Sequence, residues 1–144
     1  MIYKLRIWIF KLLKLTDKVA LVTGGSRGIG FAIAKILSDN GATVVITSKN
    51  SEKIKQAEAK ISNSFGITCD IKKKNEVQNV LDQTIKKFGK LDILVNNAGI
   101  FPKIKLLHEI EEEEWNEVLD VNLTGQLYLL IPIVWKFKFV IYRS

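Results

Sequence analysis

Val19-Ala20-Leu21-Val22-Thr23-Gly24-Gly25-Ser26-Arg27-Gly28-Ile29-Gly30 runs directly into Phe31-Ala32-Ile33-Ala34-Lys35-Ile36-Leu37. The first four residues form a short apolar run, and the last seven carry apolar residues at helical spacing. The order is strand, glycine turn, helix. Glycines at 24, 28 and 30 allow a tight reversal and remove the Cβ atoms that would hold backbone N–H groups away from a pyrophosphate. A helix that begins near Gly28 offers its unpaired N–H groups and the positive end of its dipole to the same phosphates. A glycine-rich βα turn of purely structural use has the same composition, so the rest of the chain must decide between the two.

Reading outward, Asn40-Gly41 closes the first helix, and Thr43-Val44-Val45-Ile46-Thr47 is a buried, β-branched strand. The second strand ends near Ser48-Lys49, about 24 residues after the first glycine, where a Rossmann-type fold meets the adenosine ribose. An acid there would suit the ribose hydroxyls of NAD. Ser48 and Lys49, with Arg27 inside the turn as a second cation, suit the extra phosphate of NADP. Ser51 to Asn63 is helical in pattern, Gly66 to Asp70 is a third strand, and Asn75 to Phe88 is a surface helix stopped at Gly89. Leu91 to Val95 is a fourth strand. This alternation requires a doubly wound parallel sheet, whose ligands sit beyond the carboxyl ends of the strands. Those ends hold Gly24 to Gly30, Ser48-Lys49, Asp70 and Asn96-Asn97-Ala98-Gly99.

A chain of 144 residues with 47% hydrophobic and 26% charged residues fits one globular domain. Of the formal charge of +7, residues 1 to 18 contribute +4 through Lys4, Arg6, Lys11, Lys14 and Lys18 against Asp17, leaving +3 for the other 126. The body is only mildly basic and has no interleaved aromatic and basic platform, which argues against nucleic-acid binding. With Cys69 as its one cysteine and no cleavable leader pattern, the chain is expected to be cytoplasmic. The lone His108 reads as a surface residue, and Glu111 to Glu114 read as the start of a helix with Trp115 and Val118 on its buried side. Neither points to a metal. Met1 to Leu15 is apolar and basic together, a pattern compatible with lying on an anionic membrane surface. The simpler reading makes residues 1–14 an extension before a dinucleotide-binding domain that spans 15–144.

Asn96-Asn97-Ala98-Gly99 combined with Thr23-Gly24-x-x-x-Gly28-x-Gly30 makes the chain resemble the short-chain dehydrogenase/reductase family. Asp120-Val121-Asn122-Leu123-Thr124-Gly125 is a third match, and the wording is closest to the 3-oxoacyl-acyl-carrier-protein reductases. The resemblance covers about Leu15 to Pro132 and implies an NADP-preferring oxidoreductase that transfers hydride to or from a small carbonyl or alcohol substrate. It implies that Thr23 braces the turn, that Gly24, Gly28 and Gly30 line the pyrophosphate, that Ile29 lies against the cofactor, and that Ser26 and Arg27 in the same turn also bind it. Asp70 would meet the adenine, and Asn96, Ala98 and Gly99 would border the nicotinamide riboside. Asn122 would be an active-site residue holding a water of a proton relay. Leu127, Leu130, Ile131 and Val134 lie on a helix whose family counterpart packs on a partner subunit, so a homo-oligomer is implied.

The family's catalytic serine and Tyr-x-x-x-Lys motif have no match. Four residues beyond Tyr3 and Tyr128 stand Ile7 and Pro132, and Tyr142 has only two residues after it. From Trp135 the wording leaves the family's pattern, although Lys138 to Tyr142 has β character. The expectation is an incomplete Rossmann-type sheet of four to five strands, truncated before the catalytic motif and weakly active alone. The alternative is a non-catalytic dinucleotide-binding or partner-binding module. An apolar sheet edge left unpaired would make the isolated chain aggregation-prone.

Overall fold

The computed structural model describes residues 14–102 and 104–136. The basic extension, apart from Lys14, and the expected fifth strand lie outside the described residues.

Four parallel strands are laid out in the order β3-β2-β1-β4. They are β1 (Val19–Thr23), β2 (Thr43–Ser48), β3 (Ser64–Thr68) and β4 (Ile93–Val95). Helix α1 (Gly28–Asp39) connects β1 to β2, α2 (Ser51–Glu58) connects β2 to β3, and α3 (Lys74–Phe88) connects β3 to β4. The order matches one half of a doubly wound Rossmann-type sheet, and winding reverses between β1 and β4. After β4 the chain makes a short 3-10 turn at Leu107–Glu109 and a long helix in three parts. These are α4 (Glu112–Leu119), a π-helical turn (Asp120–Thr124) and α5 (Gly125–Lys136).

Both faces of β1 and β2 are covered, and side-chain alternation sorts them into two cores. Val19 and Leu21 join Val45, Ile67, Val77, Val80, Leu81, Val121 and Leu129 on the side of α3 and α5. Ala20 and Val22 join Val44, Ile46, Ala34, Ala57 and Ile61 on the side of α1 and α2. Strand β4 differs, because its three residues are only half-buried.

Three element boundaries differ from the periodicity. Strand β4 starts at Ile93 rather than Leu91, and a side chain takes the place of the ladder at Asp92. There Val19 N–H donates to Asp92 Oδ2 at 2.8 Å while Asp92 N–H donates to the Val19 carbonyl at 2.8 Å. Helix α2 stops at Glu58 although Ile61 remains buried, because Ser64 must enter β3 and its hydroxyl donates to the Ile61 carbonyl at 2.8 Å. Strand β3 accordingly begins two residues before the expected Gly66 and ends at Thr68, leaving Cys69-Asp70 just past it. The acidic start of α4 is present at Glu112 to Glu114, but Trp115 is 54% exposed, contrary to the buried position its helical spacing suggested. An amphipathic pattern gives a helix an apolar face without supplying the element that covers it.

Candidate dinucleotide site

The glycine turn is built from β1 outward. Gly28 has φ +56°, a left-handed conformation at the first turn of α1, and a Cβ placed there would enter open space with no atom within 4 Å. Gly30 is the opposite case. A Cβ at Gly30 would strike the Asn97 side-chain amide and stand 2.5 Å from the Gly24 carbonyl oxygen. One glycine therefore leaves room on the cleft side, and the other permits α1 to close against the turn. Gly25 N–H donates to the Thr47 carbonyl at 3.1 Å and ties the turn to the end of β2.

Thr23 is the junction between β1 and the segment after β4. Its Oγ1 accepts N–H bonds from Asn97 and Ala98, both at 2.9 Å, and its hydroxyl donates to the Val95 carbonyl at 3.3 Å. Asn97 returns the contact, its Nδ2 donating to the Thr23 carbonyl at 2.8 Å. Thr23 thus joins two strand ends, which is more than bracing the glycine turn. The amide side chain that does this work is Asn97, a residue the motif reading passed over in favour of Asn96, which is exposed.

Beyond the ends of β1, β2 and β4 lies an open cleft of about 460 Å³. That volume falls within the range of small-molecule and cofactor pockets. Gly24, Ser26, Arg27, Gly28, Ile29 and Gly30 form one wall, and Ile29 is 75% exposed. Ser48 and Lys49 line the end near β2, and Ala98 and Gly99 line the end near β4. Sequence reasoning missed several other lining residues: Asn50 and Lys53 at the start of α2, Cys69 and Ile71 after β3, and Ile100 and Val121. Asn97 is also among the lining residues. Arg27, Lys49 and Lys53 bring three cations to this lining, and among the described residues no carboxylate belongs to it.

Thr23, Asp70, Asn96 and Asn122 stand outside the lining. Asp70 lies behind Lys49, its Oδ2 3.5 Å from the lysine Nζ. Its Oδ1 accepts the Lys72 N–H at 3.1 Å, and its own N–H donates to Glu76 Oε2 at 2.7 Å. That N–H, followed by the Lys73 ammonium, holds the Glu76 carboxyl below its usual range. Burial pushes the neighbouring Cys69 thiol up to about 12, with Glu76 and Asp70 adding to the effect, so it is no nucleophile at neutral pH. Asn122 sits in the π-helical turn and pairs reciprocally with the backbone of Ile100. Its Oδ1 accepts the Ile100 N–H and its Nδ2 donates to the Ile100 carbonyl, both at 2.9 Å. Single π-turns inside longer helices are frequent at functional sites, where they re-aim a side chain. This one turns Asn122 toward the segment after β4. His108 is exposed in its 3-10 turn, and no group of three His, Cys, Asp or Glu side chains suited to a metal occurs among the described residues.

A parallel sheet whose switch point opens on a glycine turn, with bare helix N–H groups and a basic rim, defines a Rossmann-type nucleotide-binding domain. Comparison with known proteins carries the assignment further. The model of the family described as short chain dehydrogenase matches residues 18–135, and the chain belongs to that family. It is 41% identical over 124 residues to the 3-oxoacyl-acyl-carrier-protein reductase FabG of Buchnera aphidicola subsp. Baizongia pistaciae, a match covering 85% of this chain and 50% of that protein. It is 39% identical over 108 residues to L-fucose dehydrogenase of Oryctolagus cuniculus, covering 75% of this chain and 38% of that enzyme. Among solved structures, the 3-ketoacyl-(acyl-carrier-protein) reductase of Brucella melitensis complexed with NADH superposes with a TM-score of 0.83. That match has 34% identity and covers 86% of this chain and 51% of the other. The chain spans about half the length of the relatives it matches.

Proposed function

We propose that this chain binds a nicotinamide dinucleotide, NADP in preference to NAD, and forms the cofactor half of a reductase acting on small carbonyl or alcohol substrates. The observation that carries the reading is the cleft itself, with Gly28 open to it, three cations on its lining and, among the described residues, no carboxylate. The residues present fit such a group. The turn from Gly24 to Gly30, with Ser26 and Ile29, would hold its pyrophosphate. Ser48 with Arg27 and a neighbouring lysine would take the ribose phosphate, Asp70 the adenine edge, and Ala98 and Gly99, next to Asn96, the nicotinamide riboside. When bound, the nicotinamide supplies the hydride that reduces a carbonyl carbon.

Asn122 is proposed as a positioning residue. With both ends of its amide on Ile100, it holds the chain after β4 against the π-turn and so sets one wall of the cleft. In the family resemblance it serves a proton relay, and that role remains part of the proposal.

Two enzymes with different named substrates match this chain at 41% and 39% identity, so the matched half does not distinguish between them. The substrate reading therefore stays at the level of a carbonyl or alcohol, with 3-oxoacyl thioesters as one member. Since no tyrosine in the sequence is followed four residues on by lysine, binding without turnover is the expected behaviour of this chain alone. The test is a fluorescence titration with NADPH followed by an assay with an activated ketone. Saturable binding with no oxidation of NADPH supports the reading. Absence of binding would refute it, and rapid turnover would overturn the expectation that the chain is inert.

A further inference from the structure

We infer that Gln126 is a positioning residue of the cleft, whose side-chain amide holds the Ala98 carbonyl and so sets the wall that meets the nicotinamide end of the dinucleotide. The inference rests on the dinucleotide reading above. Gln126 is the second residue of α5, directly after the π-turn and one position beyond the Asp120-to-Gly125 motif that carries the family resemblance. Its Nε2 donates to the Ala98 carbonyl at 2.6 Å and stands 3.5 Å from the Val121 carbonyl. Two facing carbonyls fix which end of the amide is the nitrogen, because the flipped side chain would set oxygen against oxygen. From the other side, Thr23 Oγ1 accepts the Ala98 N–H at 2.9 Å. Ala98 is thus held by β1 through its N–H and by α5 through its carbonyl, across 75 and 28 positions of the chain.

Asn122 acts beside it, four residues earlier on the same long helix. It takes both backbone groups of Ile100, and a Cβ at Gly99 would stand 3.3 Å from its Oδ1. The two amides therefore fasten three consecutive residues, Ala98, Gly99 and Ile100, each of which lines the cleft. Gly99 has no side chain to brace the segment, so the Ala98–Gly99 peptide takes its orientation from the Gln126 bond. Gln126 Oε1 is buried and has no donor among the described residues. A buried acceptor without a donor carries a desolvation cost that offsets much of what the Nε2 bond contributes. An apolar side chain of the same length is therefore expected to fold about as well. What the glutamine adds is the place of the Ala98 carbonyl, a property of the cleft wall rather than of the core. The opposite end of the cleft, at Ser48 and Lys49, is built from other elements.

The test is calorimetric titration of the full chain with NADPH and with 2′-phospho-ADP-ribose, which lacks only the nicotinamide ring. The nicotinamide emission of bound NADPH gives a spectroscopic readout, and circular dichroism checks folding. Gln126→Met keeps the length and removes the amide, whereas Gln126→Glu keeps the shape and sets a carboxylate against the Ala98 carbonyl. Gln126→Met is expected to fold like the wild type and to weaken NADPH about fivefold and the ring-less ligand less than about twofold, the effect of one neutral hydrogen bond. Its bound emission should move toward that of free NADPH. Gln126→Glu is expected to weaken NADPH about tenfold, again with little change for the ring-less ligand. Unchanged NADPH binding in both variants would overturn the inference. Equal weakening of the two ligands, or loss of fold in Gln126→Met, would do the same by making Gln126 a support of the whole domain. Wild-type chain that binds the ring-less ligand as tightly as NADPH would refute the contact with the nicotinamide end and leave the dinucleotide reading standing. Wild-type chain that binds neither would refute that reading, and the inference with it.

Discussion

The two sides of the sheet are built to different standards. On the β1-β2 side, Ala20, Leu21, Val22, Val44, Val45 and Ile46 are fully buried, and the glycine turn is locked between Thr47, Asn97 and Gly24. On the β4 side, the strand is three half-buried residues long. The helix that follows leaves Leu127, Leu130, Ile131 and Val134 between 42% and 48% exposed. The stretch Glu112–Val134 is long and apolar enough to cross a membrane by length and composition, with 17% of its most apolar window buried. One such helix is weak evidence of a span, and Asn122 in its π-turn bonds to Ile100 on the cleft lining. The contrast shows that the geometry of the glycine turn is closed within the first hundred residues. Among the described residues nothing covers the apolar surface beyond it.

The most disruptive way to probe this contrast is Gly30→Val. With the Gly24 carbonyl 2.5 Å from the position of the new Cβ, the turn or α1 must move, so the loss should exceed about 4 kcal/mol in urea unfolding. Dinucleotide binding should be lost with it. Adjacent residues of α5 then test whether the open side has a core of its own. Leu129, 2% exposed, is expected to lose about 2–5 kcal/mol on truncation to alanine, whereas Leu130→Ala should stay within about 0.5 kcal/mol. Equal losses would mean that the exposed face is covered in solution, and light scattering would identify a second copy as the cover.

Thr23→Val probes the junction between the two sides. It leaves the Asn97 and Ala98 N–H groups without their acceptor, and a cost of about 1–3 kcal/mol is expected by thermal melting. The smallest effect concerns pH. The Val19 N–H, then Lys90 and Lys18, hold the Asp92 carboxyl below its usual range. A depressed carboxyl contributes stability that is present above its unfolded value of about 3.9 and lost as pH falls through the lower folded value. Asp92→Asn should therefore be less stable than the wild type at pH 7, and the gap should close below about pH 4. A gap that persists at low pH would show that the carboxylate charge is not what joins β4 to β1.

Much of the site was legible in the sequence because it depends on local chemistry. Glycine at 24, 28 and 30, the apolar run before them and the helical spacing after them specify a βα turn wherever they occur. Ten of the residues named from the sequence line the cleft, all of them in the glycine turn, at the end of β2 or at Ala98-Gly99. What the sequence left open lies between residues far apart in the chain. Asn97 reaches Thr23 across 74 positions, and Asn122 reaches Ile100 across 22. Lys53 stands four residues after Lys49, on the first turn of the helix that follows the strand end, which makes its place on the cleft lining legible in retrospect. The ion pairs around it are not, because they depend on Asp70 reaching Lys49 and Glu52 reaching Lys55.

The sequence by itself determined the alternation of strands and helices, the parallel sheet and the glycine turn at its switch point, since each follows from periodicity and backbone sterics over a few residues. Only the tertiary structure decided which asparagine fastens β1 to β4 and which lysine is already paired. It also decided which apolar helix face stays uncovered. Those outcomes depend on distances of about 3 Å between segments whose spacing along the chain carries no information about them.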